Sequence, residues 1–268
     1  MLEKKIMELL DDFDGDVGIF IKNLNDDFVM DINGNDVYYA ASVIKLNVLW
    51  ELFLQVDAKT IAFDDRMALT EDRGIKGSGV LRELHTGLML TIEDLAILMM
   101  IISDDVATNM LIDRLRLEKI NSSIQQLGLK HTQLGRKMMN PEDAIRVKPN
   151  QDNLTTPSEV GALLENILFS SDISESSRRK MLDILKKQKL NDRLPALFPN
   201  GVIFAHKTGS LPGVVNDAGI LFLEDQVIIL VVLIKNLKEN RRGTILTNRI
   251  GKLVFDYFSG GNSSSRQD

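Results

Sequence analysis

The chain has 268 residues, long enough to bury a full core as one large domain or two modest ones. Its composition, 44% hydrophobic and 26% charged, is that of an ordinary globular protein, and a net charge of −6 with no Lys/Arg-rich run argues against a nucleic-acid partner. Cysteine is absent, which excludes disulfides, thiolate metal sites and cysteine nucleophiles.

Residues 1–6 lack the long apolar core and small-residue cleavage site of a signal peptide, and no apolar run is long enough to span a bilayer. The expected location is therefore the cytoplasm, or an extracytoplasmic compartment if this is a mature form whose signal has been removed. Leu2, Ile6, Leu9 and Leu10 fit an amphipathic first helix. Residues 16–21 and 28–31 read as short strands joined through a turn at 23–27. From Leu46 to about residue 190 the patterning is mainly helical. Leu95, Leu98 and Met99 share one helix face, and the next helix carries Met110, Leu111 and Leu115. Thr91-Ile92-Glu93-Asp94 opens one helix as a capping box, and Thr156-Pro157-Ser158-Glu159 opens another. Residues 136–156 form a long polar loop of the kind that is usually functional or disordered. Strands return at 202–205, 218–223 and 227–234, the last a continuous apolar run typical of a strand buried on both faces. A closing helix is predicted over 244–258, followed by a flexible tail.

Strands at both ends and helices between them predict an α/β (α+β) sandwich. Residues 1–58 and 195–258 would form a discontinuous sheet domain, 59–194 an all-helical insert including the 136–156 loop, and 259–268 the tail. A ligand site is expected in the cleft between the two domains.

Ser42-Val43-Ile44-Lys45 places a serine and a lysine on one helix face, with Leu46, Val48, Leu49 and Trp50 as apolar support. Serine is a poor nucleophile until a neighbouring base takes its proton, so the pair is a candidate nucleophile and base. The pattern alone is weak, since S-x-x-K occurs by chance about once in a chain this long. It recurs at Ser177-Arg178-Arg179-Lys180, in a polar stretch that reads as a solvated helix face. Ser103-Asp104-Asp105 sits at a break after an apolar helix, and Lys207-Thr208-Gly209-Ser210 at the end of a strand.

The order and spacing of these three boxes resemble those of the class A β-lactamases and their penicillin-binding-protein relatives. Residues 77–81, 95–100 and 127–132 resemble the family too, so the likeness covers roughly residues 2–258. It implies a β-lactamase/transpeptidase-like fold and an acyl-Ser42 intermediate on a β-lactam or related acyl substrate. Lys45 would help to deprotonate Ser42, and Ser103 would shuttle a proton to the leaving nitrogen. Lys207, with Thr208 and Ser210, would receive the substrate's carboxylate. The backbone N–H groups of Ser42 and Ser210 would form the oxyanion hole, with Gly209 between the box residues. No cofactor or metal is implied; the expected partner is a small-molecule substrate, and the chain is expected to be a monomer.

Three departures qualify this. The family's deacylating glutamate, which precedes a proline in the long loop, aligns with Asn140, and Ala144 stands where an asparagine helps to hold the water. An amide cannot accept a proton near neutral pH, so deacylation should be slow. The rival reading gives the base role to Glu142, or to Asp143, in a shifted loop; both otherwise read as solvated loop acids. Asp105 replaces an asparagine; its carboxylate can only accept hydrogen bonds, and could pair with Lys45 or repel an anionic substrate. No arginine follows Lys207 on the next strand, leaving Arg242 or Arg249 as candidates for the substrate carboxylate.

The three histidines build no rival site. His206 should point away from Lys207, His85 and His131 flank turns, and all three are expected to be partly exposed structural residues. No G-x-S-x-G elbow or histidine pair with metal-ligand spacing is present. Met138-Met139 should pack in the loop under the site. A Ser/Lys peptidase or esterase, or a penicillin-binding protein that stays acylated, remain the alternatives.

Overall fold

A computed structural model describes residues 2–70, 76–139 and 147–260. Leu2 and Ile6 give helix α1 (Leu2–Leu10) its buried stripe. Strands β1 (Asp16–Asn23) and β2 (Val29–Ile32) form the first hairpin, and β3 (Tyr38–Tyr39) leads into a 3₁₀ turn, Ala41–Ile44, and helix α2 (Lys45–Asp57). A ribbon of β4 (Arg66–Ala68) and β5 (Met89–Thr91) precedes helices α3 (Ile92–Ile101), α4 (Asp105–Leu115) and α5 (Leu117–Gln126). Then come β6 (Leu154–Thr155), α6 (Pro157–Phe169), α7 (Glu175–Leu185), a 3₁₀ turn Leu194–Leu197, strands β7 (Ile203–Leu211), β8 (Val214–Phe222) and β9 (Val227–Lys235), and helix α8 (Asn240–Gly260).

The main sheet runs β2-β1-β9-β8-β7, antiparallel throughout, so both chain ends supply its strands. β9 lies at its centre and shows why a continuous apolar run was needed there. Its alternate residues Ile228, Leu230, Val232 and Ile234 face one core, shared with α1 and α8. Ile229, Val231 and Leu233 face another, shared with the helices between. A strand's side chains alternate between faces, so a central strand covered on both sides must be apolar at every position. An antiparallel sheet with helices on both faces is the mixed α/β class expected from the order of the elements.

The caps form as the sequence requires. Thr91 Oγ1 accepts from Asp94 N at 3.0 Å while Asp94 Oδ2 accepts from Thr91 N at 3.0 Å, and Thr156 Oγ1 accepts from Glu159 N at 3.2 Å. Several boundaries differ. β7 and β8 are nine residues each, longer than predicted, and α8 starts four residues earlier and runs through residue 260. The ribbons β3–β6 and β4–β5 had no legible signal, being two or three residues long. Of the tail, residues 261–268 lie outside the described residues, as do Asn140, Glu142, Asp143 and Ala144.

The second S-x-x-K copy is on α7 and is only in part the solvated face expected: Arg179 is exposed and Lys180 half-buried, but Ser177 is not. Ser177 is buried and donates to Asp57 Oδ1 at 2.6 Å, while Lys180 pairs with Glu93 at 2.9 Å and lies over the Phe63 ring. Serine and lysine there serve two separate packing contacts.

Candidate active site

Ser42 lies in the 3₁₀ turn and Lys45 is the first residue of α2. In 3₁₀ geometry residues i and i+3 eclipse, so the turn puts the two residues on one side of the chain. Ala41 (φ 46°) and Ser103 (φ 58°) both occupy the left-handed region, unusual for non-glycine residues, and they flank the site on either side. Such conformations cost on the order of 1–3 kcal/mol and persist where surrounding contacts dictate them.

Those contacts are specific. Asp104 caps α4, its Oδ1 accepting from Ala107 N at 2.9 Å, while Oδ2 accepts from Val80 N at 2.6 Å and Leu81 N at 2.9 Å. This explains the Gly77–Leu81 phrase. A Cβ on Gly79 would lie 2.2 Å from the Asp104 carboxyl, at φ 104°, so only glycine lets the loop wrap the carboxylate. Ser78 exchanges bonds with Asp105, donating N–H to Oδ2 at 2.9 Å and accepting from Asp105 N at 3.0 Å. On the other side, Asn216 of β8 donates to Tyr39 O at 2.8 Å and Ala40 O at 3.2 Å, fixing the approach to Ser42. A Cβ on Gly209 would sit 3.1 Å from Ser42 N, so β7 lies directly against the nucleophile's backbone.

Under this surface lies a buried layer of three side chains. Ser103 Oγ receives Lys45 Nζ and Lys207 Nζ, each at 3.0 Å. Lys45 Nζ also donates to Ser103 O at 2.8 Å and to Asp105 Oδ1 at 2.6 Å, and Lys207 Nζ to Thr208 O at 2.7 Å. Both lysines are 0% exposed, so desolvation dominates their chemistry. Burial holds the Lys45 ammonium below the usual lysine range against the opposing pull of Asp105 and Asp104. Lys207 is pushed down well below that range by burial, then by Lys45 and Arg193, with Asp105 and Asp217 opposing.

Above the layer opens a cavity of about 320 Å³, with Ser42, Asp105 and Ser210 in its wall. Met138 and Met139 line it too, and so form wall rather than underlying packing; Asn109 holds Met138 by bonds to its N–H (2.8 Å) and C=O (2.9 Å). Thr208 is buried below this wall. A larger hollow of about 770 Å³ at the far end of α2 is lined by none of the residues of the three boxes.

The three boxes named from the sequence therefore converge: Ser42 with Lys45, Ser103 with Asp105, and Lys207 with Thr208, Gly209 and Ser210. Arg242 and Arg249 do not join them. Arg242 lies 3.6 Å from Asp14 and over the Phe13 ring, and Arg249 is exposed on α8. Two other guanidiniums, neither singled out from the sequence, do reach the site: Arg136 lines the cavity, and Arg193 braces β7 from behind. For Arg193 the contacts are direct. Its Nη1 donates to Gly209 O at 2.7 Å and Asn216 O at 2.6 Å, and Nη2 to Ser210 Oγ at 2.5 Å. His206 points away from Lys207, but it is 1% exposed rather than partly exposed, held between Asp217 Oδ1 (2.8 Å) and Asn191 Oδ1 (2.9 Å). Among the described residues no group of three His, Cys, Asp or Glu side chains could hold a metal, and no helix is long and apolar enough to cross a membrane.

The model of the β-lactamase enzyme family matches residues 1–258. The chain belongs to that family. Among β-lactamase relatives, a β-lactamase from Phocaeicola vulgatus is 27% identical over 236 residues, 85% of this chain and 72% of the relative. The VEB-1 β-lactamase from Pseudomonas aeruginosa is 23% identical over 96% of this chain and 90% of its own. Among solved structures, a β-lactamase from Sphaerobacter thermophilus is 31% identical with a TM-score of 0.88, covering 96% of this chain and 97% of that one. PBP-A is 28% identical with a TM-score of 0.87, covering 97% and 96%. The resemblance carried by the three boxes thus extends to the family model, the relatives and the fold.

Proposed function

We propose that this β-lactamase family member is a serine hydrolase of the class A type that opens a β-lactam amide, or cleaves a related acyl substrate, through an acyl-Ser42 intermediate. The observation that carries this reading is the meeting of Lys45 and Lys207 on Ser103 Oγ beside the Ser42 turn. Ser42 Oγ attacks the carbonyl carbon as its proton passes to Lys45. The C–N bond then breaks, and Ser103 hands a proton to the departing nitrogen. Lys207 supplies positive potential for an anionic substrate, with Thr208 and Ser210 as hydrogen-bond partners and Arg193 steadying Ser210 from behind. The N–H groups of Ser42 and Ser210 are assigned to the oxyanion, where one donor contributes about 3–4 kcal/mol in comparable sites.

Release of the acyl group is assigned a slow rate, because Asn140 stands where the sequence alignment expects the glutamate base. In support, a mutant of PBP-A has been captured as an acyl-enzyme complex with penicillin G, and it is 29% identical to this chain. Intact-mass spectrometry over time after addition of benzylpenicillin tests both steps. A persistent adduct that disappears in Ser42→Ala is expected; rapid turnover of a chromogenic cephalosporin would reject the slow step. Asn140→Glu should speed release, and no gain would return the base role to Glu142. Asp105 supports a second reading, a Ser/Lys peptidase or esterase, because its carboxylate replaces a donor amide in the cavity wall. A panel of short esters and D-alanyl peptides discriminates the two, with activity on none counting against the second.

A further inference from the structure

As an ammonium, Lys45 carries three donors, and each already has a partner: Ser103 O at 2.8 Å, Ser103 Oγ at 3.0 Å and Asp105 Oδ1 at 2.6 Å. None is left for Ser42, and an ammonium has no lone pair with which to take a proton. Asp105 is itself held at both oxygens, since Oδ2 accepts from Ser78 N at 2.9 Å. Its side chain is only 12% exposed, so the pair is largely removed from solvent screening. Lys207 differs: among the described residues its Nζ bonds to Thr208 O and Ser103 Oγ, with no carboxylate in contact. The carboxylate therefore discriminates between the two lysines that share Ser103.

We propose that Asp105 is a positioning residue that holds Lys45 in its ammonium form and thereby sets the pH above which Ser42 is acylated. The inference rests on the acyl-Ser42 reading above. Lys45 first releases a proton to water and gives up one of its three bonds. The neutral amine then takes the Ser42 hydroxyl proton as the Oγ–C bond forms, and that proton later leaves through Ser103 to the nitrogen freed when C–N breaks. Burial weighs most heavily against the ammonium, and the charged groups around Lys45 set the rest of the balance. Asp105 and Asp104 from the start of α4 favour the ammonium; Lys207 from β7 meets it on Ser103 Oγ and is itself pushed down by the Lys45 charge and by Arg193 behind that strand. At the cavity mouth Arg136 is paired with Asp152 at 2.7 Å, and Lys76 lines the rim.

An amide at position 105 would invert this preference while keeping the tether. Its oxygen can accept from Ser78 N, and its NH₂ can donate to the lone pair of a neutral Lys45. Asp105→Asn is therefore the decisive variant. Adduct formation with benzylpenicillin, measured by quenched-flow intact mass from pH 5 to 9, should show its rising limb displaced to lower pH by a unit or more. Below the limb that is about a tenfold faster reaction. In parallel, the Lys45 Cε signal of ¹³C-lysine-labelled protein, assigned with Lys45→Arg in a Ser42→Ala background, should titrate at lower pH in Asp105→Asn. A limb and a Lys45 midpoint that both stay in place overturn the proposal, even if the plateau rate falls, because a merely structural loss lowers the plateau without moving either. If no form makes an adduct, the acyl-Ser42 reading fails, while the Lys45 titration, which needs no substrate, still decides whether Asp105 holds the charge.

Discussion

Lys207 has its ammonium fully buried in the layer beneath the Ser42 turn, and burial is the largest influence on its protonation. With its folded pKa pushed well below the usual value, the folded chain binds fewer protons at this site than the unfolded chain does. The affected window runs from the depressed folded pKa up to the unfolded value, near 10.4. Across it the unfolded state holds the extra proton, so stability rises with pH. At pH 7 the site therefore costs stability, and Lys207→Met should raise the melting temperature there, with the gain shrinking as pH approaches 10. The same variant should lose adduct formation. Melting curves at several pH values check this, and a lower melting temperature at pH 7 would show that Asp105 and Asp217 more than offset the burial. Lys207, like Ser42, Lys45 and Ser103, was legible because each sits in a short box whose spacing is local. Arg193 was not. Its partners Gly209, Ser210 and Asn216 are remote in sequence, and nothing in the stretch around residue 193 marks an arginine with a buried purpose. Asp105 lay between these cases: pairing with Lys45 was foreseeable from the box, whereas the second bond to Ser78 N needed the fold.

α8 crosses the Leu194–Leu197 turn at Gly251, where a Cβ would come within 2.0 Å of the Leu194 carbonyl oxygen. The obstacle is backbone, which cannot swing aside as a flexible side chain can. Gly251→Ala should therefore push the turn away from the helix at a cost of about 1–3 kcal/mol, the usual penalty for overpacking. Because Leu194 adjoins Arg193, the displacement should also loosen the bonds to Gly209 and Ser210 and slow adduct formation from a distance. A thermal melt and an acylation time course check the two effects together; an unchanged rate with a lowered melting temperature would mean that Arg193 does not depend on the turn. Elements were legible where one physical pattern ruled the whole segment. Thr91 and Thr156 announced helix starts because a cap needs one residue and its third neighbour. β7 and β8 were under-read because Lys207, Thr208, Asn216 and Asp217 interrupt their apolar pattern; Lys207 and Asn216 are buried against the site, whereas Asp217 is buried against His206 and Leu194 N. The Ala41–Ile44 turn could not be told from an α-helix by spacing, since both bring residues three apart to one side.

The apolar core on the site side of the sheet does not stop at the boundary between strands and helices. Ala205, Ala218, Ile220, Ile229, Val231 and Leu233 of the sheet belong to the same contiguous cluster as Leu49 and Phe53 of α2, Leu95 and Met99 of α3, and Leu163 and Leu164 of α6. The second cluster, beneath α1 and α8, uses the opposite faces of the same strands. Opening the helical layer would thus expose one face of the sheet, and opening the α1–α8 layer would expose the other. Each loss removes on the order of 25 cal/mol per Å² of apolar surface from burial, so neither layer has an independent reason to persist without the sheet. Sequence patterning located the strands at the two chain ends and the helices between them. It could not report this sharing, because which helix faces meet which strand faces is decided in three dimensions. The expected consequence is a single cooperative transition. Trp50, the only tryptophan, is 1% exposed in α2 and reports locally on the cluster that the helices share with the sheet, whereas far-UV circular dichroism reports on the whole chain. Denaturant curves followed by Trp50 emission and by circular dichroism should coincide in midpoint and slope, the usual test of two-state behaviour. A Trp50 transition at distinctly lower denaturant would show instead that the helices between the sheet segments unfold as a separate unit, with the shared cluster too weak to couple them.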